Sequence, residues 1–238
     1  INQRVNGIAN SLIKMGIEKG DRVGVLVHNS HQFIEIYFAT AKTGGIFCPY
    51  NNHLKKGELK DILEYSTPRF LFVDLDFVSV INELKSDLGF IEHYICLEES
   101  KLPFMKNYEE IIVGSEKEEP DVKVLDDDVM SMFFTAGTTG KPKGALRTHR
   151  HLIMTAVAGV IDLRVDYDEQ ALITFPMYHV ACEDNIVRHS FMPNTIHIRR
   201  EGGFNAVDVL SYIEKEKITR CQMVPTMIHT LLQTPDIE

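Results

Sequence analysis

Apolar positions along the chain switch repeatedly between two periods, and that alternation predicts a fold class. Val5, Ile8, Ala9, Leu12 and Ile13 recur at helical spacing, and Gly16 follows where a left-handed residue would close the helix. After a turn at 19–21, residues 22–27 form a short, almost wholly apolar run, the pattern of a strand covered on both faces. Ser30 predicts the cap of a second helix carrying Phe33, Ile34, Tyr37, Phe38 and Ala41, which ends at Gly44-Gly45. Residues 46–50 read as a strand, 58–65 as a helix, 70–73 as a strand, 77–85 as a helix and 93–97 as a strand. The expected architecture is α/β, with layered, largely parallel sheets flanked by helices.

Composition narrows the picture mainly by exclusion. With 238 residues, 44% of them hydrophobic and 25% charged, the chain has an ordinary globular make-up, which excludes disordered and collagen-like classes. No apolar run approaches the ~18 residues of a membrane span. Lys and Arg number 25 against 34 Asp and Glu, a balance of −9 that argues against nucleic acid as a partner. Cys48, Cys96, Cys182 and Cys221 lie far apart without a C-x-x-C pair, which suits reduced thiols and a cytoplasmic location. No signal-peptide pattern opens the chain, and it reads as a fragment trimmed at both ends. Residues 115–128 hold seven acids against two lysines and read as a solvated connection in preference to a metal-binding loop.

A strand at 129–135 leads into the most unusual stretch, Thr135-Ala-Gly-Thr-Thr-Gly-Lys-Pro-Lys-Gly144. Gly137, Gly140 and Gly144 permit left-handed angles and close approach of the main chain to a ligand. Consecutive N–H groups in such a loop form an anion-binding nest, threonine hydroxyls add donors, and lysine supplies a point charge for phosphate. Thr148 can cap a helix beginning at His149, whose N-terminus would add positive dipole. A polyphosphate is the ligand this chemistry favours. The loop is not a Walker A motif, because Pro142 follows Lys141 and Thr135 stands where the first glycine is required. A plain surface turn is the bland alternative.

The run from Phe134 to Gly144 resembles the signature of the adenylate-forming superfamily: acyl-CoA synthetases, peptide-synthetase adenylation domains and luciferases. Residues 19–30 (KGDRVGVLVHNS), 44–51 (GGIFCPYN), Phe175-Pro-Met-Tyr-His179 and Val224-Pro-Thr-Met227 are similar to further family landmarks, in the right order along the whole chain. Ala136 departs from the family's usual serine and removes a hydroxyl donor. The resemblance implies an incomplete N-terminal domain over 1–238: a first α/β subdomain to residue 175, the start of a second at 176–238, and no C-terminal domain. It implies an acid–thiol ligase of fatty acid metabolism, AMP-forming. A carboxylate attacks the α-phosphate of ATP to give an acyl-adenylate, and the thiol of coenzyme A then displaces AMP. ATP, Mg²⁺ and coenzyme A are the implied cofactors and co-substrates, with a carboxylic acid as the other partner and a homodimer as a candidate assembly. By match to the motif, Thr135, Gly137, Thr138, Thr139, Gly140 and Lys143 would hold the β- and γ-phosphates, with Lys141 a solvated neighbour. The adenine, ribose, hinge and catalytic-lysine motifs of the family are not seen, so the isolated chain is expected to be inactive.

His179 matches the family position that lines or gates the acyl pocket; a packed or surface histidine is the alternative. Its spacing to Cys182 and His189 fits no structural zinc pattern. Residues 182–189 (CEDNIVRH) bring Glu183, Asp184, Asn185 and Arg188 into a stretch that is usually apolar in fatty-acyl ligases. These charges either face water or recognise something polar, such as a short acid carrying a cation with Glu183 or Asp184 as counter-ion. The spacing of Pro176, His179 and Cys182, with residues 93–97 and 227–232, is similar to the carnitine/crotonobetaine–CoA ligase branch. A carrier-loading adenylation domain and a non-catalytic ATP- or acyl-binding module are the competing readings.

Overall fold

The computed structural model describes residues 1–135, 142–200 and 203–234, in two compact units, Ile1–His151 and Leu152–Glu238. In the first unit, α1 (Asn2–Lys14), β1 (Arg22–Leu26), α2 (His31–Thr43), β2 (Ile46–Pro49), α3 (Lys56–Ser66) and β3 (Phe70–Val73) follow one another as the apolar pattern predicts. Ser30 Oγ accepts from Phe33 N at 3.3 Å and opens α2; Gly44, at φ +71°, closes it. The unit continues through α4 (Val78–Leu84), β4 (His93–Cys96), β5 (Met105–Asn107), α5 (Tyr108–Val113), β6 (Val129–Thr135) and β7 (Lys143–Thr148) to the start of α6 (His149–Asp162).

The described strands of this unit form one sheet in the order β5-β4-β3-β1-β2-β6-β7, parallel except where β7 runs back along β6. The chain winds from β1 to β2, crosses back to β3 on the other side of β1, and then continues outward. Every residue of β3, and of β1 after Arg22, is buried. Packing is tight at the centre: a Cβ on Gly24 would lie 2.7 Å from the fully buried Tyr50 ring and 3.0 Å from Leu71 Cδ1. Residues 115–128 are mostly exposed, as expected of a solvated connection, yet they are pinned: Asn6 and Asn10 donate to the carbonyls of Lys117, Glu116 and Glu118, and Lys42 pairs with Glu119.

One expectation needs correction. The loop at 135–144 was placed between a strand and a helix, but residues 143–148 are a strand, so the loop joins the two arms of a β6–β7 hairpin. Thr148 does cap α6, accepting from His151 N at 3.2 Å, but at the far end of β7. Six strand residues span about 20 Å, too far for the helix dipole to act on the loop. Lys143-Gly-Ala-Leu-Arg-Thr has weak strand propensity of its own; pairing with the apolar β6 imposes it.

The second unit holds β8 (Gln170–Ile173), α7 (Val180–Phe191), β9 (Thr195–Ile198), α8 (Ala206–Glu216), β10 (Arg220–Gln222) and α9 (Pro225–Leu232). Its described strands are parallel, in the order β10-β8-β9. β8 pairs within this sheet and so belongs with the residues that follow it, ahead of the expected subdomain start at 176.

A charged clamp ties three helices of the first unit together. Glu35 on α2 is 1% exposed and accepts three hydrogen bonds, from Arg4 Nε at 2.7 Å, Arg4 Nη2 at 3.2 Å and Tyr108 Oη at 2.7 Å. Arg4 also forks onto Glu109 at 2.9 and 2.7 Å, and this hydrogen bonding holds the Glu109 carboxyl below its ordinary range. The stabilisation from that pair is present above the ordinary glutamate range and is lost as pH falls through the lowered value. Removing Arg4 leaves a buried carboxylate without its cation, whereas Tyr108→Phe removes one hydrogen bond of three. Arg4→Ala should therefore cost about 3 kcal/mol or more in urea unfolding, and Tyr108→Phe about 1 kcal/mol. The reverse order would contradict this reading of the clamp.

Candidate active site

The arms of the β6–β7 hairpin put two of the expected phosphate ligands face to face. Thr135 and Lys143 are directly opposed in the antiparallel register, with Thr135 Oγ1 3.5 Å from the Lys143 carbonyl oxygen, and both residues are exposed. Gly137, Thr138, Thr139, Gly140 and Lys141 lie outside the described residues. Beneath the arms the packing is aromatic: Phe134 stacks on Tyr50 with centroids 5.7 Å apart and meets Tyr65 edge-on at 6.2 Å. A Cβ on Gly144 would lie 2.8 Å from Met132 Sδ, so the Met132 side chain packs over this glycine. Because β6 is parallel to β2, Thr135 and Lys143 stand at the carboxyl end of the parallel strands, where α/β sheets present their ligand sites.

The second unit places the other motif residues by the same rule. Its chain winds from β8 to β9 through α7, then back across β8 to β10 through α8, so the winding reverses between β8 and β10. Phe175-Pro-Met-Tyr-His179 leaves the carboxyl end of β8, and Val224-Pro-Thr-Met227 leaves that of β10. Both landmarks therefore meet at the reversal point. The Thr174 hydroxyl links the two exits by donating to the Gln222 carbonyl at 3.0 Å. Neither Thr174 nor Gln222 stands out in the sequence; the only signal is their place at the ends of short strands.

His179 is exposed and is the N-cap of α7, its Nδ1 accepting from Ala181 N at 3.3 Å. That bond fixes Nδ1 as the acceptor and leaves Nε2 to face outward. Glu183 follows one turn later and Asp184 beside it, so the structure groups these three at the start of one helix. The solvated-face alternative fails for most of this stretch: Glu183 is 1% exposed, Asn185 7%, Arg188 8% and His189 2%, with Asp184 half-buried. Glu183 lies in the first turn, where the helix dipole favours a carboxylate. Burial, reinforced by the Glu183 charge, pushes the Cys182 thiol well up and keeps it un-ionised. Arg188 lies flat on α6, where a Cβ on Gly159 would come 2.5 Å from its Nε; burial lowers its basicity, and Asp184 partly offsets this. Among the described residues no group of three His, Cys, Asp or Glu has a metal-holding arrangement.

With this geometry in place, comparison with known proteins gives the class. The whole chain, residues 1–238, matches the AMP-binding enzyme family and belongs to it. It is similar to a crotonobetaine/carnitine–CoA ligase of Salmonella paratyphi B, at 26% identity over 99% of this chain and 46% of that protein. A long-chain-fatty-acid–CoA ligase of Mycobacterium tuberculosis is 28% identical over the same shares of each chain. The chain spans about half the length of these curated relatives. Among solved structures, an anthranilate–CoA ligase in complex with anthranoyl-AMP shares the fold at a TM-score of 0.93, with 24% identity over 99% of this chain and 46% of that one. The N-terminal domain of a Mycobacterium tuberculosis ligase superposes at 0.85, with 26% identity over 98% of this chain and 57% of that one.

His189 supplies a test of the buried character of α7. Its Nδ1 lies 3.2 Å from Asn194 Nδ2, its Nε2 has no partner, and burial lowers its pKa to about 4. The unfolded chain therefore binds the proton more readily between pH 6.5 and about 4, and stability falls as pH drops through that window. His189→Met, which removes both the titration and the unpartnered donor, should flatten the melting temperature across that window. An unchanged slope would place the histidine in water.

Proposed function

We propose that the full-length protein is an AMP-forming acid–thiol ligase that makes an acyl-adenylate and then an acyl-CoA, and that residues 1–238 supply its phosphate loop and part of its acid pocket. The observation that carries this reading is the placement of both motif sets at carboxyl strand ends in a chain of the AMP-binding enzyme family. Attack of a carboxylate on ATP brings anion against anion, so the site must offer fixed positive charge and N–H donors where charge accumulates. Thr135, Gly137, Thr138, Thr139, Gly140 and Lys143 are assigned to the β- and γ-phosphates. The exposed Lys143 at the end of β7 fits a segment that meets a polyanion. Mg²⁺ would accompany ATP and neutralise its phosphates; the chain's own part is to orient them. His179 is assigned to the mouth of the acid pocket, with its Nε2 as the outward donor.

For the acid, we favour a short, polar or carnitine-like substrate over a long alkyl chain. Glu183, buried one turn behind His179, supports this, since a carboxylate held in a medium of low dielectric attracts a polar or cationic acid and offers nothing to an alkyl chain. A cation on the acid would instead be attracted through a medium of low dielectric, with Asp184 adding to the field.

Two measurements on the full-length enzyme check these assignments. Lys143→Ala should slow carboxylate-dependent pyrophosphate–ATP exchange about ten- to a hundredfold with little change in melting temperature; unchanged exchange would remove Lys143 from the site. Betaine-type acids should exceed palmitate in kcat/KM, and replacing Glu183 and Asp184 with Leu should narrow that gap. A parent enzyme that prefers palmitate would refute the polar-acid reading.

A further inference from the structure

The carboxyl end of β10 carries one half of an amide pair, with α7 carrying the other, that the sequence reading does not assign. Asn185 on α7 is 7% exposed, and its Nδ2 donates to the Ala181 carbonyl at 2.8 Å and to Gln222 Oε1 at 2.5 Å. A backbone carbonyl can only accept, so the Asn185 atom that meets it must be the NH₂. The Gln222 atom against that same NH₂ must then be the oxygen. The Gln222 amide is thereby fixed in one of its two orientations, with its own NH₂ turned away from α7. No described residue accepts from that NH₂, and Gln222 is exposed. The backbone beneath it is held as well, since the Gln222 carbonyl accepts from Thr174. The result is a donor with restricted orientation at the reversal point, two residues before Val224.

We propose that Gln222 is a specificity-determining residue that donates a hydrogen bond to an acceptor oxygen, such as a hydroxyl, on the acid substrate, and that Asn185 is the positioning residue that orients it. This rests on the ligase reading above and narrows its substrate class to oxygenated short acids. A donor fixed before binding discriminates strongly, because an acid lacking the oxygen leaves the NH₂ stripped of water and unpaired. Asn185 acts only through Gln222. With a leucine at 185 the Gln222 oxygen loses its donor, and nothing then holds the amide in one of its two orientations.

The test uses full-length enzyme and acid-dependent pyrophosphate–ATP exchange, with kcat and KM measured separately. Two series serve as probes: butanoate with its 2-, 3- and 4-hydroxy derivatives, and γ-butyrobetaine with carnitine, which differ by one hydroxyl. In the parent, at least one hydroxylated acid should exceed its deoxy counterpart about tenfold in kcat/KM. Gln222→Leu should reduce that ratio to near one while exchange with the deoxy acid persists. Asn185→Leu, which is close in volume and buries no charge, should reduce it as well, with Gln222 intact and a cooperative thermal melt. Loss of Asn185 as mere packing would lower activity on both acids alike and leave the ratio standing. A ratio near one in the parent, or a ratio unchanged in either variant, overturns the proposal and leaves the ligase reading intact. Absence of exchange with every acid overturns the ligase reading, and the proposal with it.

Discussion

Parallel strands bring their carboxyl ends to one edge of a sheet, and the placement of the candidate site residues depends on that constraint. Each crossover returns the chain to begin the next strand at the same edge, so the segments that leave the strands collect at the opposite one. In the first unit this edge receives the β6–β7 hairpin, with Thr135 and Lys143 as its arms. In the second it receives the exits of β8 and β10, with His179 on one and Gln222 on the other. Apolar runs that say nothing of ligands individually thus fix where the polar motifs end up. The buried β1 and β3, and the close fit of Tyr50 over Gly24, pack the centre of the first sheet behind this edge.

The second feature of the molecule is how much polarity α7 buries. A helix that covers a parallel sheet is ordinarily apolar on the face it presents, and Cys182 and Ile186 keep that rule. Glu183, Asn185, Arg188 and His189 break it, and each is accommodated differently. Glu183 has the helix N-terminus, Asn185 a carbonyl and an amide, and Arg188 the bare backbone at Gly159. His189 gives up its charge. Such groups cost stability relative to a greasy helix, and polar groups that break a local rule concentrate where a protein recognises something.

Much of the fold was legible in the sequence because helical and strand periods are local signals. The strands at 70–73 and 129–135, the Ser30 cap, the Gly44 closure and the helix start at His149 all follow from residues within a few positions of one another. β7 was not legible, since Lys143, Gly144 and Ala145 carry no strand propensity and become a strand only by pairing with β6. The same gap led to the helix dipole being placed at the loop instead of a strand length away. The candidate site residues behaved likewise. Thr135, Lys143 and His179 could be picked out because they sit in ordered motifs, whereas Gln222 acquires a candidate role only through Asn185, 37 residues away in sequence. Burial of Glu183 was equally hidden, because a charged residue in a short helix reads as a solvated face until its neighbours are known.

The most direct test of the central claim, that the carboxyl edges bind the substrates, is amide hydrogen exchange of the full-length protein with and without ATP and a turned-over acid. Slowed exchange should appear in peptides covering 134–146 on addition of ATP, and in those covering 174–185 on addition of acid. Peptides at the opposite edge of the first sheet, around 17–22 and 44–46, should remain unchanged. Protection confined to that opposite edge, or absent from 134–146 at saturating ATP, would contradict the account.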